Sequence, residues 1–223
     1  EMIFETLGLA ESAHLLSLSP PGWGGNLLRG LANSLQIAFG AFGFGLLIGL
    51  FGAYGKLYGG VVLRDLLAVY TTVIRAVPEL VLILILYYVG TDLINKVAGA
   101  MGYGRVEISG VVAGIWVLGV VQGAYATEVL RGAIRSVHQG QHEACQALNM
   151  TPLTRMRRII LPQALLAAIP PGTNLLIELL KNTSLVSLIT LSDLAFRARQ
   201  LDQATLMTME IFGLALVIYF VLA

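Results

Sequence analysis

Asn174, Glu178 and Lys181 stand four and then three residues apart in "PPGTNLLIELLKNTSLVSLI", inside an otherwise apolar run. At about 100° per residue the three fall within an arc of roughly 60°, so on a helix they form one polar stripe. Ionisable groups at membrane depth are costly, and their chemistry leaves few uses for them. Glu178 either pairs with Lys181 or another buried cation, or faces a water-filled path and meets a cation carried by a solute. In both cases the desolvation of one charge is offset only by an opposite one. Thr183 and Ser184 continue the polar run beyond Lys181 and are candidates to line the same path. Pro170 and Pro171 precede the stripe and loosen the backbone hydrogen bonding, which helices tolerate beside a cavity.

Arg75 poses a similar choice. It falls just before Pro78, which has no N–H for the carbonyl of Ile74 and clashes with it. Arg75 can pair with Glu79 one turn later. Alternatively it faces a cavity, where its planar fork suits a carboxylate bound through two hydrogen bonds.

Two other patterns do not carry chemistry. His138 and His142 are four apart and Glu143 follows, but zinc proteases place Glu directly after the first His on a continuous helix. Here Gln139 and Gly140 intervene, so no metal site is expected. The segment "GLFGAYGK" resembles a phosphate loop, yet its spacing is wrong and no Ser or Thr follows Lys56. His14, alone near the start, reads as a surface histidine.

The elements that position these residues follow from composition. The 223 residues are 57% hydrophobic and 12% charged, with a mean hydropathy of +0.80. Soluble domains carry about 25% charged residues, so this chain is built for a bilayer. A net charge of +1 gives no footprint for nucleic acid, and the single Cys145 excludes a disulfide framework. The acidic start (Glu1, Glu5, Glu11) makes a poor signal peptide.

A hydrocarbon core about 30 Å thick needs roughly 20 apolar residues per helix. Five stretches qualify: about 31–53, 66–88 (interrupted by "RAVP"), 108–126, from after Pro162 to about 180, and 206–223. The expected fold is therefore all-α, a polytopic helical bundle of five membrane helices in one domain over 1–223, with 1–30 an external or interfacial segment. Gly40, Gly43, Gly45 and Gly49 in the first span allow close helix packing inside the bundle. Placing the 127–161 loop inside puts Lys56, Arg64, Arg131, Arg135, Arg155, Arg157 and Arg158 on the inner side. Arg29, Lys96, Arg105, Lys181, Arg197 and Arg199 then lie outside. The broken stretch after Lys181 is too short to span and reads as re-entrant.

The loop itself has internal order. Glu128 can pair with Arg131 on a helical extension of the third span, and Gly140 is expected to break it. From Gln141 to Met150 a short helix follows, with Ala144, Ala147 and Leu148 on one face. Asn149 is a tolerable left-handed terminator. Thr151 and Pro152 then restart a helix as N-cap and first residue. Two short helices with a sharp corner make either a solvated connector or a knob for a groove on a soluble partner.

At this point the residues resemble a known family. "GQHEACQALNMTPLTRMRRIILPQA" is similar to the coupling segment, the EAA loop, of permease subunits in bacterial ATP-binding-cassette importers. Glu143, Ala144 and the "IILP" ending at Pro162 fit that pattern; Cys145 replaces its second Ala, and Asn149 stands where Gly is usual. "GWGGNLLRGLANSLQIA", "RAVPELVLILILYYVG", "GAYATEVLRGAIRSVHQGQHEA" and "PPGTNLLIELLKNTSLVSLI" extend the likeness over about residues 22–220. They resemble the polar-amino-acid branch, the histidine/lysine/arginine/ornithine type above all.

The resemblance implies the type I importer permease fold in the bacterial inner membrane, N-terminus outside and C-terminus inside. It implies a second permease, identical or sister, two soluble ATPases and an external solute-binding protein. Gly140, Gln141, Glu143, Ala144, Ala147, Leu148 and Asn149 would form the ATPase contact, and ATP and Mg would belong to the ATPase, leaving this chain without a cofactor or enzymatic activity. Arg75, Asn174, Glu178, Lys181, Thr183 and Ser184 would serve the path of a polar, basic amino acid; a neutral one such as glutamine is the alternative cargo. A channel would line a pore with polar rings but needs no coupling loop. An intramembrane enzyme would need a nucleophile–base pair or a metal cluster.

Overall fold

The computed structural model describes residues 23–189 and 192–223; His14 and most of the expected external segment lie outside them. Nine α-helices make up the described residues: α1 Trp23–Tyr58, α2 Val61–Ala76, α3 Glu79–Ala100, α4 Gly110–Ser136, α5 Gln139–Ala147, α6 Pro152–Arg155, α7 Leu161–Asn182, α8 Leu194–Thr205 and α9 Thr208–Leu222. A π-helical turn, Met156–Ile160, joins α6 to α7, and a 3₁₀ helix, Thr183–Ile189, follows α7. Four stretches are long and apolar enough to cross a membrane: Gly24–Tyr58, Glu79–Ala100, Gly110–Ser136 and Pro152–Ile189. The shorter apolar helix Thr208–Leu222 makes the fifth.

Helices α1 and α4 form the central pair because small residues let their backbones meet. A Cβ added to Gly45 would lie 2.9 Å from the Cβ of Gln122, and one on Gly49 only 2.5 Å from the Cβ of Ala126. Gly52 sits against Thr127 in the same way. Spacings of four and three keep these three glycines on one face, as close helix packing in lipid requires. The expected role of Gly43 fails: it is out of phase and faces open space.

Around this pair the apolar core is continuous across elements. Ile37 and Ala41 of α1, Ile83 of α3, Val117 and Leu118 of α4, and Leu179 of α7 bury one another together with Val186 and Ile189. Buried Gln122 donates from Nε2 to the carbonyl of Leu175 at 3.2 Å, which ties α4 to α7 with a satisfied polar group. At the loop end, Ala133, Val137, Ile160, Ala164 and Ala168 close a second cluster between α4 and α7.

Two expected boundaries change. The first span begins at Trp23, so residues 23–30 are its first turns and no separate segment. The stretch 66–88 is two helices: α2 ends at Ala76, and Val77 is extended with φ −96° and ψ 141°. Proline disfavours the helical region for the residue before it, and Pro78 then opens α3. Helix α4 runs on to Ser136, which is the helical extension expected at the start of the 127–161 loop. Pro170 and Pro171 lie within α7, which remains continuous through them.

Candidate functional site

The polar stripe of α7 opens onto a cavity of about 460 Å³ lined by Asn174, Ile177, Glu178, Lys181 and Asn182. Glu178 and Lys181 are exposed in the isolated chain. They do not pair: the ion pairs among the described residues are Lys56–Glu128, Arg64–Asp65, Asp92–Lys96 and Glu128–Arg131. Both charges of the stripe therefore face the cavity without each other as partner.

The break at Pro78 brings a second set of groups to the same region. The Arg75 guanidinium, at the end of α2, stands 5.8 Å from the ring centre of Tyr125 on α4, a cation–π contact. Glu79, at the start of α3, accepts a hydrogen bond from Nδ2 of Asn182. Asn182, which holds Glu79, lines the same cavity as Glu178, so the two carboxylates approach one region from α3 and α7. Four elements thus place two carboxylates, one guanidinium and one phenol within electrostatic reach. Such a group can hold a cation between its carboxylates and an anion at Arg75.

Thr183 and Ser184 are not part of this arrangement. Thr183 is buried and its hydroxyl donates to the carbonyl of Leu180 at 2.7 Å. Ser184 donates to the carbonyl of Lys181 at 2.7 Å. Both hydroxyls answer helix-end carbonyls, the common local use of these residues. Sequence reasoning missed Asn182, Glu79 and Tyr125. Asn182 was in reach, because it continues the stripe at four residues from Glu178.

The second candidate surface is the loop. Helix α5 starts earlier than expected, since the chain turns at Val137 (φ −65°, ψ 126°) and not at Gly140. His138 is the N-cap: its Nδ1 accepts from the N–H of Gly140 at 3.1 Å. At the other end Asn149 is left-handed with φ 51°. Its N–H reaches the carbonyl of Gln146 at 2.9 Å, and the N–H of Met150 reaches that of Cys145 at 3.0 Å. This pair is a Schellman motif with Asn in the position Gly usually takes. Thr151 caps α6 by accepting from Thr154 N at 3.3 Å, and Pro152 is its first residue.

These caps fix which face of α5 is offered. Cys145 points inward and is 3% exposed, whereas Gln141, Glu143, Ala144 and Ala147 are exposed and Gly140 is half-buried. Leu148 and Leu153 are 75% and 77% exposed at the corner. Nothing among the described residues covers this small-residue face.

A charged bridge that sequence reasoning did not find secures the base of the loop. Lys56 Nζ, at the end of α1, donates to Glu128 Oε1 at 2.5 Å and to Thr71 Oγ1 of α2 at 2.9 Å. Arg131 donates to Glu128 Oε2 from Nε at 2.9 Å and from Nη2 at 2.6 Å. The expected Glu128–Arg131 pair is present, but it belongs to a largely buried network joining three helices. No local pattern links Lys56 to a residue 72 positions away.

Comparison with known proteins agrees with this geometry. A family described as the binding-protein-dependent transport system inner membrane component matches residues 45–223. The octopine transport system permease protein OccQ of Agrobacterium tumefaciens (strain Ach5) is 37% identical over 188 residues, 84% of this chain and 79% of that protein. The histidine/lysine/arginine/ornithine transport system permease protein HisQ of Escherichia coli (strain K12) is 40% identical over 180 residues, 81% of this chain and 78% of its own length. A crystal structure of an amino acid ABC transporter with histidines superposes with a TM-score of 0.76 at 31% identity, covering 90% of this chain and 88% of that one.

Proposed function

The chain belongs to the family of binding-protein-dependent transport system inner membrane components and is a permease subunit of an amino-acid ATP-binding-cassette importer; from that premise we propose that its cargo carries a side-chain cation and meets Glu178. The observation that carries this reading is the polar cavity onto which Glu178 opens, with Asn182, the hydrogen-bond partner of Glu79, in the same lining. Two like charges in one site are relieved by a cation between them. Lysine, arginine and ornithine, named for HisQ of Escherichia coli, supply such a cation. Arg75 would hold the carboxylate that every amino acid presents, through the two parallel hydrogen bonds its fork allows.

The isolated chain leaves this region open, and a second permease, identical or sister, would close it. Two soluble ATPases would dock on the exposed face of α5, with Ala144 and Ala147 admitting close contact and Glu143 at its edge. ATP and Mg would be bound and ATP hydrolysed there, with this chain moving cargo only. An external solute-binding protein would deliver the cargo on the opposite side of the bacterial inner membrane, the loop lying in the cytoplasm.

The test is uptake by the assembly purified with its gene neighbours and placed in proteoliposomes. Radiolabelled arginine or lysine should enter only with ATP inside, and should compete with each other. Preferred uptake of glutamate would defeat the cargo assignment.

A further inference from the structure

A second cavity, about 250 Å³, separates the end of α1 from the loop and is lined by Tyr54, Tyr58, His142, Leu153, Arg155 and Met156. Its walls divide by chemistry. Tyr54 and Tyr58, one turn apart on α1, set their ring centres 5.3 Å from each other. Arg155 faces them from the loop and lies within electrostatic reach of the Tyr58 phenol. The residue is half-buried, yet its guanidinium makes no hydrogen bond or ion pair among the described residues. A half-buried guanidinium lacking an acceptor calls for an anion. Leu153 and Met156 beside it, with Leu153 77% exposed, call for an apolar body on the same ligand.

The position of the cavity narrows the ligand further. Exposed Arg157 and Arg158 follow on the π turn that leads into α7. Leu165 and Leu166 lie exposed on the first turns of that membrane helix. Tyrosines and arginines at the end of apolar helices mark the headgroup level of a bilayer, and basic pockets there suit anionic lipids. A free phosphate has the anion without the apolar body, and an acidic protein side chain has no reason to seek Leu153.

We propose that this cavity seats an anionic phospholipid from the leaflet on the loop side. Its phosphate takes the two parallel hydrogen bonds of Arg155 and those of the tyrosine hydroxyls, and its glycerol and upper acyl chain lie along Leu153 and Met156. The lipid then sits between α1 and the loop.

The test uses the full chain in its assembly, placed in nanodiscs of phosphatidylcholine mixed with phosphatidylglycerol and released for native mass spectrometry. Wild type should retain phosphatidylglycerol in preference to phosphatidylcholine. Arg155→Gln should lower that retention roughly tenfold or more, the loss of a charge-assisted pair of hydrogen bonds. Arg155→Lys, which keeps the charge and loses the fork, should fall between them. Tyr58→Phe should reduce retention by a smaller factor, and Arg105→Gln, at the other end of α4, should leave it unchanged. Because the Arg155 guanidinium makes no hydrogen bond or ion pair among the described residues, Arg155→Gln should melt with wild type, so a loss of lipid is not a loss of fold. Equal retention by Arg155→Gln, equal retention of the two lipids, or release of the lipid by inorganic phosphate would each overturn the proposal. So would retention of the lipid only after the ATPases are stripped from the assembly, which would give the cavity to a protein partner.

Discussion

Arg75 and Glu79, one helical turn apart by number, stand on opposite sides of the Pro78 break and do not pair. Arg75 turns to the face of Tyr125 and Glu79 accepts from Asn182. A continuous helix would have brought the two together at the favourable four-residue spacing. The proline keeps them apart, so the guanidinium edge does not have Glu79 as its partner.

Arg75→Lys should therefore weaken all amino-acid cargo alike. Lysine keeps the charge and loses the planar fork, and we expect ligand-stimulated ATP hydrolysis to require roughly tenfold more ligand. Arginine, lysine and glutamine should shift together, because each presents the same carboxylate. A shift confined to one of them would assign Arg75 to the side chain.

On the loop, Ala147→Trp should abolish ATP-driven uptake while the chain still inserts. Ala147 is exposed on the free face of α5, so the indole disturbs no packing within the chain. Its bulk would instead block a close contact with the ATPase. Co-purification of the ATPase in normal yield, with normal uptake, would remove α5 as the docking element.

These features differ in how far the sequence revealed them. Hydropathy found the long apolar helices but ran the second span, 66–88, across the Pro78 break instead of over Glu79–Ala100; Asn149 and Thr151–Pro152 marked the corner because caps are set by local backbone chemistry. Gly140 misled: glycine weakens a helix, but His138 supplied a cap that carried the start of α5 ahead of it. Thr183 and Ser184 suggested a pathway where their hydroxyls serve neighbouring carbonyls. Gly43 and Gly52 look alike in sequence, and only the phase of α1 against α4 separates them. Lys56–Glu128 and Glu79–Asn182 join residues 72 and 103 apart and needed the fold.

Asp193 gives the stability of the α8 region a pH dependence. Its Oδ1 caps the helix by accepting from Phe196 N at 2.8 Å, while Oδ2 is buried without a partner among the described residues. Burial raises its pKa to about 6, against the smaller opposing effects of backbone N–H groups and Arg199. The unfolded chain titrates near the ordinary value of about 3.9, so the folded state holds the proton more tightly. This contribution is fully present below pH 4 and is lost as pH rises through 6. Between pH 5 and 8 the loss is about 1–2 kcal/mol. Asp193→Asn keeps the cap and has no charge to bury, so its melting temperature in detergent should exceed wild type most at pH 8, and the gap should narrow steadily towards pH 4. Parallel melting curves across that range would contradict this.

The central claim is that Glu178 meets the cation of the cargo. Glu178→Gln keeps the shape of the side chain and its place on α7, and removes only the charge. The direct measurement is ligand-stimulated ATP hydrolysis by the reconstituted assembly, with arginine, lysine and glutamine compared in wild type and Glu178→Gln. The account predicts roughly ten- to a hundredfold weaker stimulation by arginine and lysine, the loss of one charge-assisted hydrogen bond, with glutamine little affected. Equal losses for cationic and neutral ligands would contradict it.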